Sequence, residues 1–320
     1  MSGVLQARRR RHAAAVVVLA VLMTAPAVQG CSPGTPDPAP QGPGNSAAPE
    51  PASTAPAPRG PLTAGLNQFR DNYGTQIIEI QLSNALSEPV TVLGAELSST
   101  LFPAGAAWHA GPEGTEVPPG QTKSLPARLP GPSCTGPVRD AGARTVPAEA
   151  TVSVRQGSTT STVHLAAADP FGVLARNHEE LCLARDAGNV AAFGLAPELE
   201  VAADARTAVV RLTVTPNEAG TGPIRELTIE RIDGTTLLAA LPDSPWPAGV
   251  TVAAGTGPAE FHLRIRPARC DPHAVAEDKV GTLLPLVVTV GGREGILKVA
   301  AGPALKGRIH DFVTAACGAH

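Results

Sequence analysis

Apolar and polar side chains alternate along short stretches of this chain from about residue 63 onward. The alternation is clearest over residues 78–82 and again over residues 210–214, where every second residue is Val, Leu or Ile. Proline or glycine separates such stretches at intervals of about eight to twelve residues, which is typical of antiparallel β-sandwiches. We therefore predict an all-β fold.

The alternating stretches recur in pairs, which indicates an internal duplication. Ile78 corresponds to Val210 at an offset of 132 residues, and Arg128 corresponds to Arg264 at an offset of 136 residues. A nearly constant offset across different stretches is the sequence signature of a repeated structural unit. Each copy is long enough for about seven strands.

We expect the two copies to form two tandem immunoglobulin-like or fibronectin-like β-sandwich domains, over residues 63–194 and 197–320. Near the end of each copy the apolar spacing changes to a helical period, as for Phe171, Leu174 and Leu181 in the first copy. We therefore also expect a short helix at the C-terminal end of each domain.

Four of the five cysteines follow the repeat. Cys134 and Cys182 are 48 residues apart, and Cys270 and Cys317 are 47 residues apart. Four cysteines permit three connectivities, and the repeat selects Cys134 with Cys182 and Cys270 with Cys317. In the chain-entropy model each closure stabilises the fold by roughly 4 kcal/mol. Cys31 is left without a disulfide partner.

The N-terminus has the layout of an export signal. Four arginines precede an apolar run over residues 13–28, which is shorter than the roughly 20 residues needed to span a bilayer. This pattern predicts a secretory leader over residues 1–30. The sequence Val28-Gln29-Gly30-Cys31 resembles the lipobox of bacterial lipoproteins, which implies that Cys31 is diacylated and begins the mature chain. A plain secretory cut a few residues earlier is the alternative.

Residues 31–62 are dominated by Pro, Ala, Gly and Ser. Such a stretch has too little apolar surface to offset the entropy of ordering, so we expect a disordered, semi-extended stalk. Leader, lipobox and stalk together resemble bacterial cell-surface lipoproteins. That resemblance implies an extracytoplasmic protein, anchored through its N-terminal lipid to the outer face of the cytoplasmic membrane.

Composition excludes some classes of partner. Loss of the four leader arginines changes the net charge from −3 to −7, and aromatic residues make up only 3% of the chain. Nucleic-acid binding requires a basic face or exposed aromatic side chains, so we expect no nucleic-acid partner. Trp108 and Trp246 occupy similar positions in the two copies, and we interpret them as plugs of the core or of the sandwich ends.

No established catalytic motif occurs in the chain. The densest group of ligand-type side chains is Cys270-Asp271-Pro272-His273, but Cys270 is expected to be in a disulfide and the first copy lacks the acid and the histidine. We interpret residues 178–180, a His-Glu-Glu sequence, as a solvated helix face. We therefore expect no catalytic residue, no metal site and no cofactor, and hence no enzyme.

Arg128 and Arg264 recur in both copies on the strand face opposite an apolar neighbour, which makes them a candidate shared binding face. The alternative is an ordinary surface arginine whose ion pairs contribute little. The function that we expect is a membrane-anchored binding or structural module for a protein or envelope partner. The alternative function is a lipoprotein that captures a small molecule or metal in the cleft between the two domains.

Overall fold

The computed structural model describes residues 61–134, 146–218 and 223–318. The expected leader, Cys31 and the stalk up to residue 60 lie outside these ranges. In the described part of the chain, strands predominate over helices, and two disulfides are present. No helix in those ranges is long and apolar enough to cross a membrane. The mostly-β fold is therefore confirmed.

The elements follow in chain order. The earlier strands are β1 (Leu62–Asn67), β2 (Ile77–Asn84), β3 (Val90–Ser99), β4 (Phe102–His109), β5 (Thr115–Val117), β6 (Thr122–Arg128), β7 (Ala148–Gln156) and β8 (Thr159–Ala168). The later strands are β9 (Ala191–Val201), β10 (Ala208–Pro216), β11 (Glu226–Ile232), β12 (Leu238–Ala240), β13 (Val250–Ala253), β14 (Ala259–Pro267), β15 (Leu283–Val290) and β16 (Arg293–Ala300). The helices are α1 (Val173–Val190), α2 (Pro272–Ala276) and α3 (Pro303–Gly318), with a 3-10 turn at Arg70–Asn72.

Strands β1 to β8 form one curved sheet. Its order is β4-β3-β7-β8-β1-β2-β6, with β5 added to β3. Every described pairing in it is antiparallel except the parallel pair of β1 and β8. Phe102 of β4 and Leu125 of β6, at opposite ends of this order, lie in the same buried core as Ile80. The sheet therefore wraps around a single core.

Strands β9 to β16 form two sheets that face each other. One has the order β12-β14-β10-β9 and the other β13-β11-β15-β16. Leu212 and Leu263 of the first sheet share a core with Leu227 and Leu286 of the second. Helix α3 covers a separate apolar region of the first sheet. This half is a β-sandwich-like pair of sheets, with α3 packed against one end of the buried face of the first sheet.

Helix α1 is longer than the short helix expected from the sequence. It has 18 residues, and α3 has 16. Val173 and Leu174, at its N-terminal end, belong to the first core, whereas Leu183, Ala187 and Val190 belong to the second. One helix therefore contributes to both cores.

Strand β9 follows α1 without a connecting loop, because α1 ends at Val190 and β9 begins at Ala191. Residues 195 and 196, which separate the two domains expected from the sequence, lie inside β9, where Leu195 pairs with Leu212. All described residues fall in one compact unit.

Some strand pairings of the earlier half resemble pairings of the later half. Ile77 pairs with Arg128 between β2 and β6, and Val209 pairs with Arg264 between β10 and β14. The β7–β8 and β15–β16 hairpins both close with a two-residue loop that begins with a glycine at positive φ. Two pairings differ: β4 pairs with β3 whereas β12 pairs with β14, and β1 pairs with β8 whereas β9 and β16 lie in different sheets.

The disulfides join the same cysteines that the spacing pairs. Cys134 is bonded to Cys182 at an S–S distance of 1.99 Å, and Cys270 is bonded to Cys317 at 2.03 Å. The first bridge ties the segment after β6 to α1, and the second ties the segment before α2 to α3. Cys182 is completely buried, whereas Cys270 is exposed.

Candidate functional site

The turn between β8 and α1, residues 169–172, is held by one buried carboxylate. Asp169 accepts hydrogen bonds from the backbone N–H groups of Val173 at 2.7 Å and Leu174 at 3.0 Å. Gly172 has φ of 60°, a left-handed conformation that glycine adopts without strain. This turn leaves Phe171 with 66% of its surface exposed.

A buried amide network lies beside this turn. Gln68, which follows β1, accepts hydrogen bonds through Oε1 from Arg176 Nη2 and Asn177 Nδ2, both at 2.9 Å. Its Nε2 donates to Asn177 Oδ1 at 3.3 Å, and Asn177 also donates to the Val173 carbonyl at 2.7 Å. Because both amides are buried and bonded, their orientation is fixed.

Two cations contact the ring of Tyr73. The guanidinium of Arg176 lies 5.2 Å from the ring centroid, and the ammonium of Lys298 lies 5.4 Å from it. Both distances are within the range of cation–π attraction. Lys298 of β16 also donates to Glu180 of α1 at 2.7 Å. These contacts connect the 3-10 turn, α1 and β16.

Glu79 of β2 is a buried acid behind the same turn. Its Oε1 accepts a hydrogen bond from Asn72 Nδ2 at 3.2 Å. Burial raises the pKa of Glu79, repulsion from Asp71 raises it further, and the bond from Asn72 opposes the shift. The charged form of this carboxyl is therefore less favoured in the folded protein than in the unfolded chain.

These elements enclose a cleft of about 580 Å³, within the usual range of roughly 300–1,000 Å³ for ligand sites. Its lining is Asn67, Gln68, Tyr73, Pro170, Phe171, Gly172, Val173, Ala175, Arg176 and Glu179. Phe69, next to Gln68 in the chain, is also 45% exposed. Exposed phenylalanine beside an oriented arginine is suited to binding, since aromatic residues and arginine are enriched in the buried centres of protein interfaces. We call this surface the α1 cleft.

Arg128 and Arg264 lie on exposed strand positions of two different sheets, next to buried Leu129 and Ile265. In the described part of the chain, neither guanidinium makes a hydrogen bond or an ion pair. Trp246 donates through Nε1 to the backbone carbonyl of Arg264 at 2.9 Å. Arg128 pairs with Ile77 and Arg264 pairs with Val209. The two arginines therefore lie in different sheets and do not form one continuous surface on a shared pair of strands.

The acidic residues after Cys270 have local structural partners. Asp271 caps α2 by accepting from the backbone N–H of Ala274 at 3.0 Å, and Asp278 accepts from that of Gly281 at 2.7 Å. Over the residues that the structure describes, no group of three or more His, Cys, Asp or Glu side chains is arranged to hold a metal.

His178 is more enclosed than the solvated helix face expected for residues 178–180. Its Nε2 donates to the Ser133 carbonyl at 2.7 Å, and its ring lies edge-on to Phe102 with centroids 6.2 Å apart. The ring also lies beside the first disulfide, with Nε2 3.6 Å from Cys182 Sγ. His178 therefore packs the segment around Cys134 against α1.

A second space lies between the two halves, beneath Lys298. It measures about 100 Å³, which is below the roughly 300 Å³ at which small-molecule pockets begin. Its lining is Tyr73, Gly74, Gln76, Asn177, Glu180, Leu181, Ala184, Leu283, Ile296, Leu297, Lys298 and Ala300.

The α1 cleft was not predicted from the sequence. Phe171 was expected on the apolar face of a helix, whereas it lies in the turn before α1. The usable signal was Asp-Pro-Phe-Gly, a turn sequence that puts one of the few aromatic residues in a loop. Gln68 and Arg176 are far apart in sequence, and no local pattern links them.

The fold defines a mostly-β protein with sandwich-like sheets and two intramolecular disulfides. No protein-family model and no curated protein matches the chain. Among solved structures, it is similar to the CsuC–CsuE chaperone–tip adhesion subunit complex of Acinetobacter baumannii, with a TM-score of 0.17 and 9% identity over 71% of this chain and 92% of that chain.

Two enzymes are similar at the same low level. The exo-chitosanase CsxA of Amycolatopsis orientalis has a TM-score of 0.20 and 15% identity, over 75% of this chain and 26% of that chain. Red sea bream transglutaminase has a TM-score of 0.22 and 9% identity, over 76% and 32%.

Proposed function

We propose that this protein is an extracytoplasmic lipoprotein, anchored through Cys31, that acts as a binding or structural module for a protein or another envelope component. The two disulfides support an oxidising location, because such bonds persist mainly outside the cytosol. The lipobox-like sequence and the Pro-rich stalk support a tethered position at the membrane surface.

We also propose that the module arose by tandem duplication of an immunoglobulin-like sandwich. The pairings β1–β2, β2–β6, β3–β7 and β7–β8 have counterparts in β9–β10, β10–β14, β11–β15 and β15–β16. Arg128 and Arg264 stand at the same step of corresponding ladders. Besides the different pairings of β4 and β12, the halves differ where β1 pairs with β8, whereas α1 contacts both β9 and β16.

The observation that carries the binding proposal is the exposure of Phe171 at the α1 cleft. An aromatic side chain with 66% of its surface in water gains favourable free energy when a partner buries that apolar surface, and it has few polar groups to desolvate. Arg176 beside it is already oriented by Gln68 and Tyr73. Binding of a partner therefore costs little conformational entropy at Arg176.

Cross-linking in intact envelopes tests the binding proposal. We expect the wild-type chain to capture a reproducible partner and Phe171→Ser to lose most of it. Val201→Ser is the matched control, because Val201 is an apolar residue with 50% exposure on β9. Equal capture by both variants, or the absence of any reproducible partner, contradicts the proposal.

Intact mass of the membrane-extracted protein tests the anchor. We expect a mature chain that begins at a diacylated Cys31 and gains four hydrogens on reduction, two for each disulfide. A chain that begins elsewhere and carries no lipid contradicts the anchor, and the search for a partner then moves to secreted material.

A further inference from the structure

One edge of β8 is open over most of its length. On one side β8 pairs with β7 over residues 159–166, from Gln156 with Thr159 to Glu149 with Ala166. On the other side it pairs with β1 only at Ala167 and Ala168. No other strand within the described ranges pairs with that side. We call residues 159–164 the open edge.

The hairpin geometry shows which backbone groups point outward. A two-residue loop joins Gln156 to Thr159, and the residues that close such a loop exchange both backbone hydrogen bonds. Bonded and non-bonded pairs then alternate along an antiparallel ladder. The N–H and C=O groups of Thr160, Thr162 and His164 therefore point away from β7, and none has a backbone partner among the residues described.

The other sheet edges are protected. Proline interrupts three of these strands, Pro103 in β4, Pro126 in β6 and Pro197 in β9. Strands β12 and β13 have only three and four residues, and α1 packs against β16. Proline, shortness and covering helices are the usual devices against edge-to-edge pairing. The open edge has no proline, and His164 is its only titratable residue.

We propose that the open edge pairs with the same edge of a second copy of this chain. The two β8 strands run antiparallel about a two-fold axis at Thr162, so that Thr160 of each copy faces His164 of the other. The curved sheet then continues across both molecules. A symmetric contact of this kind uses one surface patch on both partners.

The chemistry of the edge favours a second copy over a foreign peptide. Thr159, Thr160, Ser161 and Thr162 are all exposed, so both faces of the strand here are polar and solvated. Strand addition gains specificity from side-chain pockets, and this polar ridge offers none. A second β8 is already ordered by its pairing with β7, so it loses little conformational entropy on association. Opposed threonines also form favourable cross-strand pairs.

Light scattering and sedimentation on the full chain carrying Cys31→Ala, which removes the expected acyl group, test the proposal. We expect a concentration-dependent dimer. Thr162→Pro removes an outward N–H and leaves the β7 ladder intact, because Thr162 faces Ser153 in a non-bonded pair. We expect this variant to weaken association at least tenfold, whereas Thr162→Val, which keeps the N–H, remains dimeric. Circular dichroism checks that both variants fold.

Cross-linking tests the register independently of the proline variant. Thr162→Cys, treated with a short bismaleimide, should give a covalent dimer, since the axis brings the two side chains together. Thr215→Cys is the control, because Thr215 is exposed on β10, which is covered on both edges. A wild-type chain that stays monomeric overturns the proposal, whether the edge is empty or covered by another segment. Equal cross-linking of both cysteine variants, or of neither, also overturns it.

Discussion

Replacing Asp169 with alanine removes two hydrogen bonds to a carboxylate from the first turn of α1. The carboxylate is buried and accepts from the N–H groups of Val173 and Leu174 at 2.7 and 3.0 Å. Loss of an N-terminal cap costs about 0.5–2 kcal/mol, and a single hydrogen bond to a charged group contributes about 1.5–3 kcal/mol. The turn borders the α1 cleft, so water replaces part of what is lost. We expect Asp169→Ala to lower the free energy of unfolding by about 2 kcal/mol.

Urea unfolding followed by far-UV circular dichroism, with the disulfides intact, measures this loss. Asp204→Ala is the matched control, because Asp204 accepts from the backbone N–H groups of Arg206 and Thr207 in an exposed loop. We expect its effect to be much smaller than that of Asp169→Ala. Equal losses of unfolding free energy for the two variants would contradict this prediction, because they would show that the burial of Asp169 does not increase the contribution of its hydrogen bonds.

Two further predictions concern titration and redox behaviour. Because the pKa of Glu79 is raised on folding, its burial costs stability as the pH rises through that pKa. Glu79→Gln should therefore gain more stability at about pH 7 than at about pH 4, and equal gains in urea unfolding contradict this. Mild reductant should reduce the disulfide of exposed Cys270 before that of buried Cys182, so an alkylating reagent present in excess should modify the freed Cys270 and Cys317 thiols first. Peptide mass mapping over time records the order, and the reverse order contradicts it.

Strands and cysteine pairs were predictable because their signals are local or repeated. Alternation over residues 78–82 reports directly which side chains face the core, since a strand has a two-residue period. The nearly equal intervals of 48 and 47 residues between the cysteines of each pair selected one of the three possible connectivities. Neither inference requires knowledge of how distant elements pack.

The length and role of α1 were not predictable for a physical reason. Val173 and Leu174 enter one core, and Leu183, Ala187 and Val190 enter another. A helix with two buried regions has no single apolar stripe, so its periodicity is weak. The boundary expected at residues 195 and 196 falls inside β9.

The α1 cleft depends on tertiary contacts alone. Gln68 and Arg176 meet through a single hydrogen bond, and Lys298 reaches Tyr73 from the other half of the chain. No spacing in the sequence encodes these contacts. The exposure of Phe171 is set by the left-handed Gly172 and by the cap at Asp169, which together turn the chain outward before α1 begins.

The dual burial of α1 determines how the protein can be divided. A fragment that starts at residue 197 lacks Leu183, Ala187 and Val190, so the core between the two later sheets loses the side chains that α1 contributes to it. A fragment that ends at residue 194 keeps the helix but exposes those same side chains to water. Truncation, fusion or domain exchange must therefore keep residues 173–190 together with both halves.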